Sequence, residues 1–385
     1  MAKDLSKVTC IADMRAIYRR RVPKVFVDYC DSGSWTENTY QQNERDFNHY
    51  SFRQKVLVDM SARSLHSQML GEAVAMPVAI APTGLLGMQH ADGEILAAQA
   101  AEAFGVPYIM STVSICSVED VAKATKRPFW FQLYMMKDRV FMQDLIARVK
   151  AAGCSTLVLT VDLQMIGQRH RDIKNGLGAN RPNLINLLNM ATKLPWCWRM
   201  LQTKRRSFGN IEGHVDNLAG MSSFGTWINQ QFDPSLSWDD VAWIQQQWGG
   251  KLVIKGIMEI EDAQRAVMAG ADALVVSNHG GRQLDGAPST ISVLPEIVDA
   301  VGQQIEIYLD SGIRTGQDIL KSIALGAKGV LIGRAPIYGL GAYGKEGVTR
   351  VLEILQKEMD LSMAFCGKTQ LTTVDSSILR KPTFI

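Results

Sequence analysis

The sequence predicts an α/β protein built on a closed (β/α)8 TIM barrel, with an N-terminal helical cap and a long insertion after the fourth strand. Eight short runs rich in Val, Ile and Leu follow one another from residue 77 onward at the spacing of βα units. Amphipathic segments at 92–105 and 138–153 lie between such runs and end in glycine. A chain of 385 residues accommodates one barrel of this kind with additions.

The eight predicted strands are continuously apolar, as expected for parallel strands covered on both faces. They span residues 77–82, 107–111, 128–134, 156–162, 251–256, 273–278, 305–312 and 329–334. Each strand ends in a polar, charged or glycine residue. One such residue is as typical of a helix N-cap as of a binding site, but eight of them at the C-terminal mouth of a barrel predict an active site there.

The whole chain is expected to form a single domain. Residues 1–76 make up the cap, 77–345 the barrel, and 346–385 a C-terminal helix and tail. The insertion covers residues 173–237, which is far longer than a usual βα loop of a few residues.

Composition narrows the class of protein. A net charge of +3 is too small to indicate a nucleic-acid partner. The six cysteines form no CxxC pair and have no histidine at metal-ligand spacing, so no metal site is expected. The N-terminus lacks the apolar core of a signal peptide, and no run approaches the ~18 apolar residues of a membrane span. A cytoplasmic protein is therefore expected.

The insertion has an unusual composition. From Ile173 to Ile211 it holds seven Lys or Arg and no acidic residue, interleaved with Trp196, Trp198 and Phe208. This pattern is typical of an amphipathic surface that docks on anionic lipid, where each Lys or Arg contributes about 1 kcal/mol. A polar lid over the active site, or an oligomer contact, explains the pattern equally well.

The turns after the seventh and eighth predicted strands are expected to bind a phosphate, as is common in barrels of this type. Glycines there permit close approach of the backbone, and arginines supply paired donors. The residues concerned are Asp310, Ser311, Gly312, Arg314, Gly333 and Arg334. A GxGxxG match at 339–344 follows no strand, and the overlapping P-loop-like match has Glu346 where Ser or Thr must bind Mg²⁺, so both are interpreted as chance.

Residues 277–286, "SNHGGRQLDG", place a base, a cation and the carboxylate of Asp285 around two glycines. His279 is the expected general base because the sixth strand fixes it and its ordinary pKa lies near ~6.5; a turn hydrogen bond is the structural alternative. Asp162, at the end of the fourth strand, is placed to orient the imidazole and to stabilise an imidazolium.

Two arginines and two tyrosines are expected at the same mouth. Arg169 and Arg282 together suit an anionic substrate, most simply a carboxylate, although either alone would be more typical of a structural ion pair. Tyr29 and Tyr134 are neutral donors. Lys255, from the fifth strand, could stabilise negative charge on a cofactor ring.

These motifs resemble the FMN-dependent α-hydroxy acid oxidases and dehydrogenases, which include glycolate oxidase, mandelate dehydrogenase and bacterial L-lactate dehydrogenase. The resemblance rests on "SNHGGRQLDG", the family's active-site signature, and extends over the chain through "PKVFVDYCDSG", "IAPTG", "WFQLY", "LTVD", "VIKG", "DSGIRTGQD" and "IGRAPIYG". The lactate dehydrogenase branch is the most similar. Many members read "TPRLGRR" where this chain reads "LQMIGQRHRD", which keeps Arg169 but leaves the side-chain specificity open.

The resemblance implies FMN as the cofactor and assigns a role to each site residue. It implies that His279 is the base and Asp162 its partner. Arg169 and Arg282 would clamp the substrate carboxylate. Tyr29 would donate a hydrogen bond to that carboxylate, and Tyr134 would contact the substrate hydroxyl. It implies contacts to the flavin ring and ribityl chain from Pro82, Thr83, Gly84, Ser111, Gln132, Thr160, Lys255 and Ser277. The phosphate would lie on the 310–314 and 333–334 turns.

The expected reaction is the oxidation of a small L-2-hydroxy acid, L-lactate to pyruvate, with the electrons passed to a membrane quinone or another respiratory acceptor. In the family, glycine at the position of Gly84 is found among dehydrogenases and alanine among many oxidases. The implied state is a homotetramer attached peripherally to the cytoplasmic face of the inner membrane through 173–211. The alternatives are a soluble oxidase that releases hydrogen peroxide, a dehydrogenase for mandelate or longer hydroxy acids, and a non-catalytic flavin-binding relative.

Overall fold

The computed structural model describes residues 5–176, 184–211 and 231–380. Its centre is a barrel of eight parallel strands, which confirms the predicted fold class. The strands are β3 (Val78–Ile80), β4 (Ile109–Ser111), β5 (Trp130–Tyr134), β6 (Thr156–Thr160), β7 (Lys251–Ile257), β8 (Ala273–Val276), β9 (Glu306–Leu309) and β10 (Gly329–Ile332). Their order is β3-β10-β9-β8-β7-β6-β5-β4, and a parallel bridge between Ile80 and Tyr108 closes the ring.

Helices surround this barrel. They are α1 (Ile11–Arg21), α2 (Lys24–Asp31), α3 (Asn38–Arg45), α4 (Leu86–Gln89), α5 (Gly93–Phe104), α6 (Val118–Ala124), α7 (Arg139–Ala151), α8 (His170–Lys174), α9 (Leu184–Ala191), α10 (Leu194–Gln202), α11 (Trp238–Trp248), α12 (Ile260–Met268), α13 (Thr290–Val301), α14 (Gly316–Ala324), α15 (Arg334–Tyr343) and α16 (Lys345–Phe365). The two amphipathic segments singled out in the sequence form α5 and α7. Among the described helices, none combines the length and apolarity needed to cross a bilayer.

A short hairpin, β1 (Ser67–Met69) and β2 (Glu72–Val74), closes the N-terminal end of the barrel. Met69 and Val74 pack against interior side chains that include Trp130 and Tyr308. The N–H of Leu70 donates to the Tyr308 hydroxyl at 3.0 Å. The N-terminal segment, which was expected to be a helical cap, therefore also contains a hairpin that covers one end of the barrel. The other end, where the strands have their C-termini, remains for ligands.

The described part of the insertion is attached to the barrel rim at several points. The Trp196 indole donates to the carbonyl of Met88 at 2.9 Å. Arg205 forms ion pairs with Asp92 at 3.0 Å and Asp120 at 2.9 Å. The Asn210 side chain accepts from the N–H of Val118 at 2.8 Å and donates to the loop that follows β4. The predicted insertion also includes 177–183 and 212–230, which lie outside the described residues.

Candidate active site

A cavity of about 900 Å³ lies at the C-terminal ends of the barrel strands. It brings together most of the predicted site residues, namely Tyr29, Pro82, Thr83, Gly84, Ser111, Tyr134, Arg169, Lys255, His279, Arg282, Asp310, Ser311, Gly312, Arg314, Gly333 and Arg334. The other four predicted residues are not on its wall. Asp162, Gln132 and Ser277 form hydrogen bonds to residues that do line the cavity. Thr160 pairs in register with Tyr134 and Lys255 of the adjoining strands.

His279 and Asp162 form a direct pair. The Nδ1 atom of His279 lies 2.8 Å from Oδ1 of Asp162, and a proton on Nδ1 leaves Nε2 as the basic nitrogen. Burial lowers the pKa of His279, and the carboxylate of Asp162 opposes that shift. Burial would raise the pKa of Asp162, but the charge and hydrogen bond of His279 lower it overall. At neutral pH the pair therefore holds an ionised carboxylate beside a neutral imidazole.

Local backbone geometry makes room for this pair. His279 adopts a left-handed conformation, with φ of 58°, and its N–H donates to the Ser277 hydroxyl at 3.2 Å. A bulge in β7 at Gly256, where φ is +112°, lies next to Asp162. A Cβ atom at Gly256 would come within 2.7 Å of the Asp162 Cβ, so glycine is required there.

The two arginines lie together as predicted. Nη1 of Arg282 donates to the carbonyls of Tyr29 and Ser32 at 2.5 and 3.0 Å, and its guanidinium lies 4.7 Å from the centre of the Tyr29 ring. Nε of Arg169 donates to the Arg282 carbonyl at 3.4 Å. Burial, followed by the charge of Arg282, lowers the pKa of Arg169 to about 10. Two cations at close range create a site for an anion.

Asp172 also lines this end of the cavity, and it was not expected from the sequence. Its Oδ2 lies 3.8 Å from Nη1 of Arg169, and its Oδ1 accepts a hydrogen bond from the Ser32 hydroxyl at 3.5 Å. Burial raises the pKa of Asp172 although Arg282 and Arg169 lower it. The signal that could have revealed it is its position three residues after Arg169, which places both on one face of a short helix.

Tyr134 is packed between two rings. Its ring is stacked near the imidazole of His279, with 6.4 Å between centroids, and meets Phe232 edge-on at 5.4 Å. Burial raises the pKa of the Tyr134 phenol, so the group remains a proton donor. Phe232 lies where the chain returns from the insertion, and periodicity alone gave no sign of its contact.

Lys255 is the centre of a buried polar cluster. Its Nζ donates to the Ser277 hydroxyl at 2.8 Å and lies 3.0 Å from Oδ2 of Asp310. Ser311 in turn accepts from the N–H of Gly280 at 2.9 Å and donates to Asp310 at 2.8 Å. Although burial opposes it, the charge of Asp310 raises the pKa of Lys255, so this ammonium group is charged.

Several features fit the cofactor that the sequence implies. Buried Nε2 of Gln132 and Oγ1 of Thr160 have no hydrogen-bond partner among the described residues, so they are available to a polar ring. Arg314 and Arg334 both line the cavity. They are anchored by Glu44 at 2.7 Å and by the Cys30 carbonyl at 2.8 Å, respectively, which holds their charge at the place predicted for a phosphate. This donor set suits a phosphorylated flavin.

Asp285 plays no part in the cavity wall. Its carboxylate accepts from the N–H groups of Thr36 and Thr39, each at 2.9 Å. The carboxylate of the "SNHGGRQLDG" segment therefore fixes the N-terminal segment onto the barrel. No group of three or more His, Cys, Asp or Glu in the described ranges is arranged to hold a metal ion.

The chain is similar to known proteins over nearly its whole length. Residues 18–381 match the model of a family described as FMN-dependent dehydrogenase. The chain is 44% identical over 375 residues to an L-lactate dehydrogenase of Ectopseudomonas mendocina, covering 97% of this chain and 99% of the relative. It is 45% identical to an L-lactate dehydrogenase of Actinobacillus pleuropneumoniae, covering 95% and 97%.

Solved structures agree on the fold. A crystal structure of (S)-mandelate dehydrogenase, described as a monotopic membrane protein, superposes with a TM-score of 0.91 at 34% identity, covering 97% of this chain and 99% of that one. A mandelate oxidase superposes with a TM-score of 0.82 at 33% identity, covering 97% and 98%.

Proposed function

The chain belongs to the family of FMN-dependent dehydrogenases, and we propose that its reaction is the oxidation of L-lactate to pyruvate with transfer of the electrons to a membrane quinone. The observation that carries this proposal is that His279 lines the cavity beside the guanidinium groups of Arg169 and Arg282, while Asp162 pairs with its imidazole from behind the wall. A base next to an anion site is what a 2-hydroxy carboxylate requires.

The proposed roles follow from the positions of the groups. Arg169 and Arg282 hold the substrate carboxylate, and Tyr29 and Tyr134 donate hydrogen bonds to the carboxylate and to the hydroxyl. Nε2 of His279 accepts a proton from the substrate, and Asp162 stabilises the resulting imidazolium. Bound FMN supplies the acceptor for the two electrons that leave the substrate Cα.

The cofactor contacts are proposed on the same grounds. Lys255, charged and buried, places positive charge at the ring, while Gln132 and Thr160 offer their unpartnered polar atoms. Pro82, Thr83, Gly84, Ser111 and Ser277 complete the ring and ribityl contacts, and the 310–314 and 333–334 turns hold the phosphate. Spectra of the purified protein, with and without the Lys255→Met change, test whether flavin binding depends on this cluster.

L-Lactate is favoured over mandelate by the names of the relatives, since those at 44–45% identity are L-lactate dehydrogenases and the mandelate enzymes are at 33–35%. Val113 and Met165 line the cavity and supply a modest apolar space for a side chain. Anaerobic flavin reduction by glycolate, L-lactate, 2-hydroxyoctanoate and mandelate tests the choice. We expect L-lactate to bleach the flavin fastest; fastest bleaching by mandelate would move the protein to the other substrate class.

The described part of the insertion supports attachment to a membrane. Exposed apolar side chains cover α9 and α10, with Leu188, Trp198 and Leu201 exposed by 63%, 64% and 67%. Patches of this kind mark interaction surfaces. Arg205 forms ion pairs within the protein, so its charge is not available to lipid. Docking therefore depends more on the exposed apolar side chains than the number of basic residues in the insertion suggests. Sedimentation of the protein with anionic vesicles at low salt tests this proposal. A protein that does not sediment with the vesicles would contradict it.

The acceptor is proposed to be a quinone because Gly84 and the apolar insertion both favour a membrane-linked dehydrogenase. Oxygen uptake by the purified protein with L-lactate distinguishes the rival, a soluble oxidase. Slow oxygen uptake with fast quinone reduction is expected, and the reverse ratio would favour the oxidase.

We also propose that the protein forms a homotetramer. A second exposed apolar patch supports self-association: Val56, fully exposed Leu57 and Phe365 lie together, because the N–H of Lys55 donates to the Phe365 carbonyl at 2.9 Å. Analytical ultracentrifugation of wild type and Leu57→Asp tests it, and a monomeric wild type would exclude it.

A further inference from the structure

Asp172 is a carboxylate placed inside a site for carboxylates. We infer that it sets the charge of the two-arginine clamp and thereby makes the site select substrates with one carboxylate over substrates with two. This inference rests on the proposed function only in taking Arg169 and Arg282 as the anion site. It adds a specificity-determining residue to those expected from the sequence.

The contacts show how Asp172 acts on both arginines. Its Oδ2 faces Nη1 of Arg169 at 3.8 Å, and the side chains of both residues are 13% exposed. Its Oδ1 accepts from the Ser32 hydroxyl at 3.5 Å, and the Ser32 carbonyl accepts from Nη1 of Arg282 at 3.0 Å. Asp172 therefore faces Arg169 directly and is linked to Arg282 through Ser32, the residue that follows α2.

Charge balance then decides which anion fits. Two guanidinium groups and one carboxylate leave a single positive charge, which one substrate carboxylate neutralises. Burying a charged group costs free energy unless an opposite charge nearby compensates it. A second carboxylate on the substrate would face the side-chain space lined by Val113 and Met165, where neither residue offers a compensating charge. Without Asp172 the clamp would carry two positive charges and favour a dianion.

The test measures binding of two unreactive anions, propionate and malonate, which differ by the exchange of a methyl group for a carboxylate. Their dissociation constants are measured from the change in flavin absorbance of the holoenzyme at pH 8. In Asp172→Asn we expect the malonate-to-propionate ratio of dissociation constants to fall at least tenfold. Asp172→Ser removes the same charge with a smaller side chain and should give the same result.

Two control variants separate charge from geometry. Asp172→Glu keeps the charge, and Ser32→Ala removes the hydrogen bond but keeps the charge and the carbonyl contact to Arg282; both should keep the wild-type ratio. Lys137→Gln removes the charge of a lining residue that is outside the Arg169, Asp172 and Arg282 contacts described above, and it should leave the ratio within about threefold.

The inference is overturned if both Asp172 variants weaken the two anions in equal proportion, or if Lys137→Gln changes the ratio as much as Asp172→Asn does. Anion binding is measured without turnover. A protein that binds flavin but fails to oxidise L-lactate would therefore contradict the proposed function, while the effect of Asp172 on the ratio could still be measured.

Discussion

Two regions of this molecule are unusual in opposite ways: one buries charged side chains, and the other exposes apolar ones. The cavity encloses charged groups such as Lys255 and Asp310, which are 4% and 7% exposed, whereas α9 and α10 present leucines and a tryptophan to solvent. Each departure costs stability unless something else compensates. Inside the cavity the compensation is visible as ion pairs within the chain. On the insertion no such compensation is visible among the described residues. The first region therefore indicates chemistry, and the second indicates a contact surface.

The largest effect is expected from removing the base in the cavity. His279→Gln should lower the anaerobic rate of flavin reduction by L-lactate by about 10²- to 10⁴-fold, the usual contribution of a positioned general base. Stopped-flow absorbance measures the rate, and the visible spectrum controls for retained flavin. A normal reduction rate would remove His279 from the proposed mechanism.

A smaller loss is expected from Asp162→Asn. The imidazolium loses a charge-assisted hydrogen bond, so kcat/KM should fall roughly 10- to 100-fold. Burial lowers the pKa of His279 and Asp162 opposes this, so removing the carboxylate should lower that pKa further. We expect the acid limb of kcat/KM below the ordinary histidine value of ~6.5 in wild type, and at still lower pH in the variant. An acid limb that moves to higher pH would show that the base is a different group.

The insertion should respond in the opposite way. Leu188→Asp combined with Leu201→Asp replaces two exposed apolar side chains. A leucine side chain that becomes buried in the bilayer contributes roughly 1.5 to 3 kcal/mol. Losing even part of this at both positions should weaken vesicle binding roughly tenfold or more. Flavin reduction in solution should not change, because neither side chain lines the cavity. Met268→Asp, at another exposed apolar position, on α12, is the control for vesicle binding. Equal weakening by that control would mean that the docking surface lies elsewhere.

The smallest effect is expected at Gly84, where the cavity wall is tightly packed. A Cβ atom there would lie 3.1 Å from the Val113 carbonyl and 3.4 Å from the Tyr29 hydroxyl. The displacement needed should cost about 1 kcal/mol, so Gly84→Ala should lower kcat/KM for L-lactate several-fold. Steady-state kinetics measure this, and Leu188→Ala, on the open surface, should leave the constant unchanged.

The barrel could be predicted from sequence because its strands are buried on both faces and recur at regular intervals. All eight predicted strands form, and the cavity gathers the residues that were expected at their ends. The hairpin at 67–74 could not be predicted in this way, since each of its strands has only three residues and shows no period.

Residues whose importance depends on partners far along the chain were missed for a related reason. Asp172 matters because α8 places it between Arg169 and Ser32, which is 140 residues away. Phe232 matters because the returning chain sets it against Tyr134. Arg314 was predicted as a phosphate ligand from its turn, but its ion pair with Glu44, from the N-terminal helices, becomes visible only in three dimensions.

The attachment of Asn210 has a practical consequence for the design of a version of this protein that lacks the exposed helices α9 and α10. Its amide holds the loop that carries Ser111 and Thr112, and Arg205 holds the neighbouring rim. Excising all of residues 184–211 would therefore loosen the cavity wall at Ser111. A shortened protein should lose α9 and α10 but retain residues 203–211, so that removal of the exposed apolar helices does not weaken flavin binding.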